Sequence, residues 1–299
     1  MTAPATRSEA RTALLAGLAV AVTMFLWASA FVGIRHLGHD FSPGALSLGR
    51  LLVGTVCLGV VALVRPWVRP TGREWAAMAG IGVLWFAIYN LALNAGERLV
   101  DAGTASMLLQ VSPVLIAALA TWFLGDHFTA TLGAGLALAF AGVVLIGFSQ
   151  PGGRDGSLLG AMLCVLCAVV YSVSVILQKP LMARLPAAQV TWIACAVGGL
   201  CCLPFAPQLL RQAQDAPWQS VAWLTYLGAF PTAIAFTTYA YALRHMPASR
   251  LGVTTYIVPP ITIVLGWLLL GEVPPLLAYA GGALALLGVS IARRRPAKP

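Results

Sequence analysis

The chain has 299 residues, of which 60% are hydrophobic and only 9% are charged. An average soluble domain carries about 25% charged residues, so this composition excludes cytosolic enzymes, secreted disulfide scaffolds and disordered regulators. The net charge of +9 comes from dispersed Lys and Arg residues, and without an aromatic-interleaved basic patch we expect no nucleic-acid partner. Because a membrane-crossing helix needs about 20 apolar residues, we predict an all-α polytopic membrane protein whose surroundings are the lipid bilayer.

Hydropathy runs, interrupted by charged residues and by Gly and Pro, predict ten transmembrane helices. In chain order their predicted bounds are 13–34, 44–64, 75–94, 102–124, 128–148, 157–178, 187–206, 220–243, 248–270 and 275–292. Two connections share one pattern, Gly125-Asp126-His127 after the fourth span and Gly271-Glu272 after the ninth. There we expect the glycine to end a helix in the left-handed conformation and the acid to cap the next helix.

The basic residues are distributed unequally between the two sides of such a bundle. Thirteen of them fall on the side that carries the N-terminal tail 1–12 and the basic tail 293–299. The opposite side carries only four, which are Arg35, Arg98, Arg154 and Arg211. Because Lys and Arg are enriched in cytoplasmic connections, we predict that both termini are cytoplasmic. We expect a multi-pass protein of the bacterial inner membrane.

An internal repeat relates the two halves of the chain at an offset of 146 residues. Residues 101–146 and 247–292 share 12 identities in 46 positions, and the match is much weaker before residue 101. Either shared membrane composition produces this match, or the chain contains two five-helix repeats, 13–148 and 157–292, joined by the linker 149–156. A unit with an odd number of spans enters the membrane the second time in the opposite orientation. Inverted-topology repeats are typical of secondary transporters, whose substrate sites lie between the repeats.

Polar side chains at membrane depth usually face the interior of the bundle. Arg50 is the charged residue that lies well inside a predicted span; it either binds a substrate carboxylate or phosphate bidentately or holds helices together near the interface. The other predicted substrate-binding residues are neutral: Trp27, Ser29, Tyr89, Asn90, Asn94, Gln110, Tyr171, Ser174, Trp192, Tyr239, Thr254 and Tyr256. A wider set of candidates adds Trp85, Ser112, Gln178, Thr237, Thr238, Tyr241 and Thr255.

Four prolines, Pro113, Pro231, Pro259 and Pro260, interrupt central spans and are predicted to act as hinges or static kinks. All acidic residues, including Glu97 and Glu272, fall in loops or at span ends, so the sequence predicts no buried carboxylate proton relay. Walker A, zincin and nucleophile-elbow motifs are absent from the sequence. We therefore expect neither ATP-driven transport by this chain nor enzyme activity, and no metal or cofactor. We expect a monomer.

At these residues the chain resembles the EamA-type family of the drug/metabolite transporter superfamily, over residues 13–292. The resemblance rests on Trp27-Ala28-Ser29-Ala30-Phe31 followed by Arg35, on Leu48-Gly49-Arg50-Leu51-Leu52, and on two corresponding runs. These runs are Ala102…Pro113…Leu124-Gly125-Asp126 and Ala248…Pro259…Leu270-Gly271-Glu272. The family commonly has Trp-Gly where this chain has Trp27-Ala28, and Gly-Glu where it has Gly125-Asp126.

The resemblance implies ten helices in two repeats and export of amino acids or related small metabolites, among them aromatic or other neutral amino acids. The export is expected to proceed by alternating access through a central cavity between the repeats. Two alternatives stay open. One is the same fold carrying drugs, nucleosides or sugar-like metabolites; the other is a membrane protein that does not transport, such as a partner subunit.

Overall fold

The structure, a computed structural model, describes residues 7–64, 66–124, 130–148, 154–246, 251–252 and 254–292. Throughout these ranges the regular secondary structure is helical. In chain order the α-helices are α1 Arg7–Leu37, α2 Pro43–Leu63, α3 Gly72–Ile81, α4 Tyr89–Gly96, α5 Ala102–Leu108, α6 Ser112–Leu124, α7 Ala130–Gly147, α8 Arg154–Leu181, α9 Ala187–Cys202, α10 Ala206–Asp215, α11 Trp218–Leu227, α12 Ala235–His245, α13 Val258–Leu270 and α14 Leu276–Ala292.

Some consecutive α-helices are joined by short segments of tighter or wider winding. The π-helical segments Gly82–Ile88 and Gly228–Ile234 join α3 to α4 and α11 to α12. Two 3-10 turns, Leu109–Val111 and Thr255–Ile257, precede α6 and α13. Single π turns inside α-helices are rare and are often found at functional sites.

Six helical stretches are long and apolar enough to cross a membrane. They are Leu14–Leu37, Pro43–Leu63, Gly72–Gly96, Leu158–Leu181, Ala187–Asp215 and Trp218–His245. Four shorter apolar helices cover Ala102–Ile116, Gly133–Ile146, Thr255–Leu270 and Leu276–Gly288. Each of these ten stretches overlaps one of the predicted spans, but only the first six are long enough to be identified as membrane-crossing helices. Their composition is that of a polytopic membrane protein.

The seventh predicted span is shorter than the helical stretch that the structure shows. It was predicted to stop at residue 206, but helical structure continues through the 3-10 turn Leu203–Phe205 and α10 to Asp215. Each segment has a proline, Pro204 or Pro207, in its first turn. A proline there loses no hydrogen bond, because the first N–H groups of a helix have no partner inside it. Pro204 and Pro207 therefore mark new starts of helix and not the end of helical structure.

The bounds of the elements repeat at the same offset of 146 residues that relates the sequence halves. The correspondence includes α3 and α11, the two π-helical segments, the first residues of α4 and α12, the two 3-10 turns, both ends of α6 and α13, and the first residues of α7 and α14. The sequence match is weak before residue 101, but the matching helix bounds extend back to Gly72 and Trp218. Helix winding therefore shows a correspondence that the residue types do not.

One predicted turn lies inside the described residues. Gly271 adopts φ 68° and ψ 14° after α13, and its N–H and that of Glu272 donate to carbonyls of the last helical turn, as in a left-handed glycine cap. The side chain of Glu272 bonds to Arg35 instead of capping the next helix. The corresponding turn at Gly125-Asp126-His127 lies outside the described residues, as do 1–6, 149–153 and 293–299.

Helices α7 and α14 pack together closely through glycines. A methyl group added at Gly142 would lie 2.5 Å from the carbonyl oxygen of Gly281, and one added at Gly288 would lie 2.5 Å from that of Gly135. Gly135 and Gly281 are 146 residues apart, and so are Gly142 and Gly288. Small residues allow the backbones of membrane helices to approach in this way.

Candidate substrate cavity

A buried cavity lies among the first, third, fourth, sixth, eighth and ninth apolar stretches, with one residue from α2. It encloses about 60 Å³, which is room for a few water molecules. Its lining consists of Trp27, Ala30, Phe31, Arg50, Trp85, Tyr89, Asn90, Leu93, Leu109, Gln110, Ser112, Tyr171, Phe236, Thr255 and Val258. The lining is largely aromatic and aliphatic, with a few polar groups and one cation, which is the usual composition of a small-molecule site.

Arg50 supplies the cation, and it does not reach the bundle surface. The residue is only 4% exposed, and its Nε donates to Thr232 Oγ1 at 3.1 Å. Thr232 lies in the second π-helical segment and in turn donates to the carbonyl of Leu227. Within the part of the chain that the structure describes, no hydrogen bond is formed by the two terminal guanidinium nitrogens, so they are available to a ligand.

Aromatic side chains form one wall of the cavity. Trp27 has its ring centroid 4.9 Å from that of Tyr239 and 5.7 Å from that of Phe236. Trp85 lies 5.0 Å from Tyr171 and 4.9 Å from Phe236. The hydroxyls of Tyr171 and Tyr239 are 2.9 Å apart and hydrogen-bonded. The five rings come from four different apolar stretches, so the wall joins the first half of the chain to the second.

Two amides form the polar part of the lining. Gln110 accepts a hydrogen bond from Thr255 Oγ1 at 3.3 Å and donates to the carbonyl of Ser106. Asn90 donates to the carbonyl of Phe86 at 2.7 Å, while its Oδ1 is buried and accepts no hydrogen bond from the described residues. The polar part of the lining therefore contains hydrogen-bond donors on Arg50 and an unpaired acceptor oxygen on Asn90.

The structure brings some of the predicted substrate-binding residues together in this cavity. Trp27, Arg50, Tyr89, Asn90, Gln110 and Tyr171 line it, and Tyr239 closes the aromatic wall behind Trp27 and Tyr171. From the wider set of candidates, Trp85, Ser112 and Thr255 line it as well.

Other predicted residues point elsewhere. Ser29 hydrogen-bonds to the Tyr226 hydroxyl at 2.7 Å, and Asn94 donates to Ser47 at 2.9 Å. Trp192 packs edge-on against Trp67. Two hydroxyls bond to nearby backbone carbonyls, Ser174 to Val170 and Thr254 to Leu251, and Tyr256 packs against the hydrophobic core.

The lining residues that sequence reasoning missed are apolar: Ala30, Phe31, Leu93, Leu109, Phe236 and Val258. In a chain that is 60% hydrophobic, residue type alone does not distinguish them from residues that face lipid. One available signal was helical spacing, since Leu93 follows Asn90, and Ala30 follows Trp27, by three residues on the same helix face.

The prolines predicted to interrupt spans stand at the junctions of differently wound segments. Pro113, Pro259 and Pro260 lie in the first turn of α6 or α13, directly after a 3-10 turn. Pro231 lies inside the second π-helical segment. Pro113, Pro259 and Pro260 are therefore next to the cavity lining, within two residues of Ser112 or Val258, whereas Pro231 lies beside Thr232, the hydrogen-bond partner of Arg50.

Two side chains, one from α1 and one from α8, bind the ends of neighbouring helices beyond the cavity. Arg35, at the end of α1, donates to the carbonyl of Glu97 at 2.7 Å and forms an ion pair with Glu272 at 2.7 Å. Lys179, near the end of α8, donates to the carbonyls of Leu243 and Met246. Arg35 lies eight residues after Trp27, and Lys179 lies eight residues after Tyr171.

The two contacts lie at opposite ends of the bundle. Gly96, at the end of α4, packs against Gly160 near the start of α8, whereas Gly80 in α3 lies against Leu177 near the end of α8. Helix α8 therefore runs antiparallel to the stretch from α3 to α4. The Arg35 contact therefore lies at one end of the bundle and the Lys179 contact at the other.

The sequence predicts no buried carboxylate, and the position of Glu97 shows that this prediction is wrong. Glu97 does follow the span that ends at Gly96, but it is only 1% exposed, and neither carboxyl oxygen has a hydrogen-bond partner among the described residues. Burial raises the pKa of Glu97 well above its ordinary value, an effect that the nearby Arg35 and Arg50 only partly oppose. A position at the end of a span therefore does not expose this carboxyl group to solvent.

Comparisons with known proteins agree with this architecture. The model of the EamA-like transporter family matches twice, at residues 14–148 and 158–294. A probable terminal-alkyne amino-acid exporter from Streptantibioticus cattleyicolor is 36% identical over 93% of this chain and 93% of its own length. The uncharacterized transporter YdfC of Bacillus subtilis is 32% identical over 88% of this chain and 86% of its own length.

One solved crystal structure shows the same fold. It superposes with a TM-score of 0.65 at 20% sequence identity, covering 93% of this chain and 96% of its own. With its apolar helices and transporter relatives, this chain is a multi-pass membrane protein that acts on a small-molecule substrate. The chain belongs to the EamA-like transporter family.

Proposed function

We propose that the protein is a secondary transporter that exports amino acids, above all neutral and aromatic ones, across a bacterial inner membrane by alternating access. The observation that carries the proposal is the arrangement of Arg50 in the cavity. Arg50 lines the same cavity as several aromatic residues and as Asn90, whose Oδ1 has no partner among the described residues. The named amino-acid exporter among the relatives supports the same substrate class.

Each part of a zwitterionic amino acid has a complementary group in this cavity. The guanidinium of Arg50 is suited to a carboxylate, which it can bind with two parallel hydrogen bonds. The Asn90 oxygen accepts a hydrogen bond from the ammonium group. The aromatic wall around Trp27 and Trp85 receives an apolar or aromatic side chain, since ring–ring contacts add to the energy of burial.

The charge of the lining favours amino acids over cationic drugs. Among the described residues that line the cavity there is no Asp or Glu, and the one charged side chain is Arg50. A buried cation site needs an opposite charge to offset the loss of hydration. A cationic substrate would instead meet the positive charge of Arg50.

We further propose that the chain forms ten transmembrane helices in two inverted five-helix repeats, 13–148 and 157–292, with both termini in the cytoplasm. Three observations support this architecture. Helix bounds and π-helical segments recur at an offset of 146 residues, the glycine contacts between α7 and α14 are reciprocal, and α8 is antiparallel to α3 and α4. The excess of Lys and Arg in one set of connections favours the cytoplasmic placement of both termini.

Alternating access is supported by the burial of the side chains around the cavity. Arg50 and Trp85 are only 4% and 1% exposed. We therefore expect a substrate to reach them when the helices separate at one end of the bundle, either the Arg35 end or the Lys179 end. The prolines at the π-helical and 3-10 segments are placed to act as hinges, because these junctions already lack regular α-helical hydrogen bonds.

Counterflow in proteoliposomes tests the proposal. Vesicles loaded with unlabelled phenylalanine, methionine, threonine or uridine receive the same labelled compound outside, with protein-free vesicles as the control. We expect saturable uptake of phenylalanine and methionine and none of uridine. Uptake of uridine alone would support the alternative cargo, and no saturable uptake of any compound would contradict a transport function for these solutes.

A further inference from the structure

Three buried acceptor groups form a row that leads from the cavity to the Arg35 end of the bundle. Asn90, Asn94 and Glu97 follow one another at spacings of four and three residues, which places them on one helix face. Asn90 Oδ1, Asn94 Oδ1 and both carboxyl oxygens of Glu97 are buried without a partner among the described residues. Buried polar groups are nearly always satisfied, so such a row indicates bound water or protons.

The surroundings of Glu97 favour its neutral form. Transferring an unpaired carboxylate from water into a buried site is costly enough that the group takes up a proton instead. Arg35 is adjacent, but its Nε bonds to Glu272 and its Nη1 to the backbone carbonyl of Glu97. The Glu97 carboxyl group therefore does not share the hydrogen bonds of its nearest cation in this conformation.

Charged and titratable groups face Glu97 from each neighbouring element. Arg35 on α1 and Arg50 on α2 favour its anion, while Glu272 after α13 and Asp101 in its own loop oppose it. Helix α8 contributes the thiols of Cys164 and Cys167, which lie within electrostatic range of the carboxyl group. The balance between the neutral and the anionic form of Glu97 depends on Arg35, because its guanidinium is close to the carboxyl groups of both Glu97 and Glu272.

We propose that Glu97 is the proton-binding site through which a proton gradient drives export, an inference that rests on the proposed function. One proton from the outer solution binds the carboxylate of Glu97, which lets this neutral group be buried and Arg35 pair with Glu272 across the closed end. The proton then leaves Glu97 toward the cavity through water molecules hydrogen-bonded to the side chains of Asn94 and Asn90. A substrate ammonium group at Asn90 favours the anionic form of Glu97, so substrate and proton displace each other and the exchange is an antiport.

The proposal also gives a role to the contact between Arg35 and Glu272. The ion pair between Arg35 and Glu272 connects the first half of the chain to the second. If Glu97 loses its proton while this end is closed, its anion competes with Glu272 for Arg35 and weakens that connection. Proton occupancy at Glu97 therefore controls whether this end of the cavity stays closed.

Gradient-driven efflux from proteoliposomes tests the inference. Vesicles are loaded with whichever of phenylalanine, methionine and threonine gives the fastest counterflow, and the outer solution is acidified. We expect faster efflux with the wild type and with Asp215→Asn, which alters an exposed carboxyl group. Glu97→Gln, which resembles the protonated acid, is expected to slow counterflow, because it holds this end closed, and to lose the acceleration by the gradient.

The outcomes separate this inference from the proposed function. Counterflow without any response to the gradient in the wild type, or a response that persists in Glu97→Gln, overturns the role of Glu97 and leaves transport standing. No counterflow by the wild type overturns both.

A binding measurement covers the case in which Glu97→Gln is inactive. With purified wild-type protein in weakly buffered detergent solution, adding the same amino acid is expected to release protons, detected with a pH-sensitive dye. Glu97→Asp is expected to release protons with its half-point moved to lower pH. Proton uptake in the wild type, or the same pH dependence in Glu97→Asp, overturns the proposal.

Discussion

The Nε atom of Arg35 lies 2.7 Å from Oε1 of Glu272, joining the end of the first helix to the turn between the last two. The same guanidinium donates to the Glu97 carbonyl, so it ties three separate helix ends together. The pair is partly accessible, with side-chain exposures of 30% and 25%. Partly exposed ion pairs contribute little to the free energy of unfolding, so we expect this pair to add little to stability.

Removing either partner of this pair is expected to have unequal effects. Glu272→Gln loses only the ion pair and should lower the stability by less than about 1 kcal/mol. Arg35→Gln also leaves the Glu97 carbonyl without its donor and should cost about 1 kcal/mol more. Thermal unfolding of the purified proteins in detergent measures both. Equal losses for the two variants would contradict the assignment of both bonds to Arg35.

The hydroxyl pair in the aromatic wall allows a test of coupling. Tyr171→Phe and Tyr239→Phe each leave a buried hydroxyl without its partner, and each should cost about 1–2 kcal/mol. The double variant removes both groups, so its loss should be close to that of one single variant and not to their sum. Additive losses in thermal unfolding would show that the two hydroxyls are not bonded to each other.

The close contact of α7 and α14 predicts a sharp dependence on side-chain size. Gly142→Ala places a methyl group 2.5 Å from the Gly281 carbonyl oxygen, and the backbone shift required should cost about 1–3 kcal/mol. Gly288→Ala should behave alike, because its contact with Gly135 is the corresponding one. Gly266→Ala is the matched control, since nothing lies within 4 Å of the added methyl group there.

Thermal unfolding of these three alanine variants separates packing from helix propensity. Gly266→Ala should be neutral or stabilising by up to about 1 kcal/mol, as expected from helix propensity alone. If Gly142→Ala behaves like Gly266→Ala, the helices do not approach as closely as described.

The buried carboxyl group of Glu97 predicts a particular dependence of stability on pH. A raised pKa in the folded protein means that stability is greatest below the ordinary value of about 4.5 and decreases as the pH rises through the raised value. Glu97→Gln cannot ionise and should not show this decrease. Its unfolding temperature should match the wild type near about pH 5 and exceed it increasingly toward about pH 9.

Subtracting the two pH profiles isolates Glu97, because every other titratable group is common to both proteins. The Asp215→Asn profile serves as the control and should run parallel to the wild type. A constant difference between Glu97→Gln and the wild type would show that Glu97 is ionised in the folded protein throughout this range.

The spans were predictable because burial in a bilayer leaves a strong signal in composition. Runs of about 20 apolar residues separated by charges define the helices, and the cap at Gly271 follows from the conformational freedom of glycine. Deviations within helices were not predictable in the same way. The π-helical segments begin at Gly82 and Gly228, and the second contains Pro231, but a glycine or a proline in an apolar span does not by itself predict wider winding.

Residue type predicted only part of the candidate site. Arg50, Asn90 and Gln110 could be selected because polar groups are costly in a membrane. Ser29 and Trp192 are similar in type but face other partners, since the rotation of each helix about its axis is set by its neighbours. Phe236 contributes to the cavity as an ordinary apolar residue, and the importance of Glu97 depends on burial that a position at the end of a span does not reveal.

The role of Arg50 is tested most directly by counterflow of labelled phenylalanine, with Arg50→Gln and the exposed Arg211→Gln measured beside the wild type. Since a hydrogen bond to a charged group contributes about 1.5–3 kcal/mol, we predict that Arg50→Gln weakens apparent affinity roughly tenfold to a hundredfold, while Arg211→Gln has no effect. Unlabelled phenylalanine should compete in the wild type, and phenylethylamine, which lacks the carboxylate, should not. Unchanged affinity in Arg50→Gln, or equal competition by phenylethylamine, would contradict carboxylate recognition by Arg50.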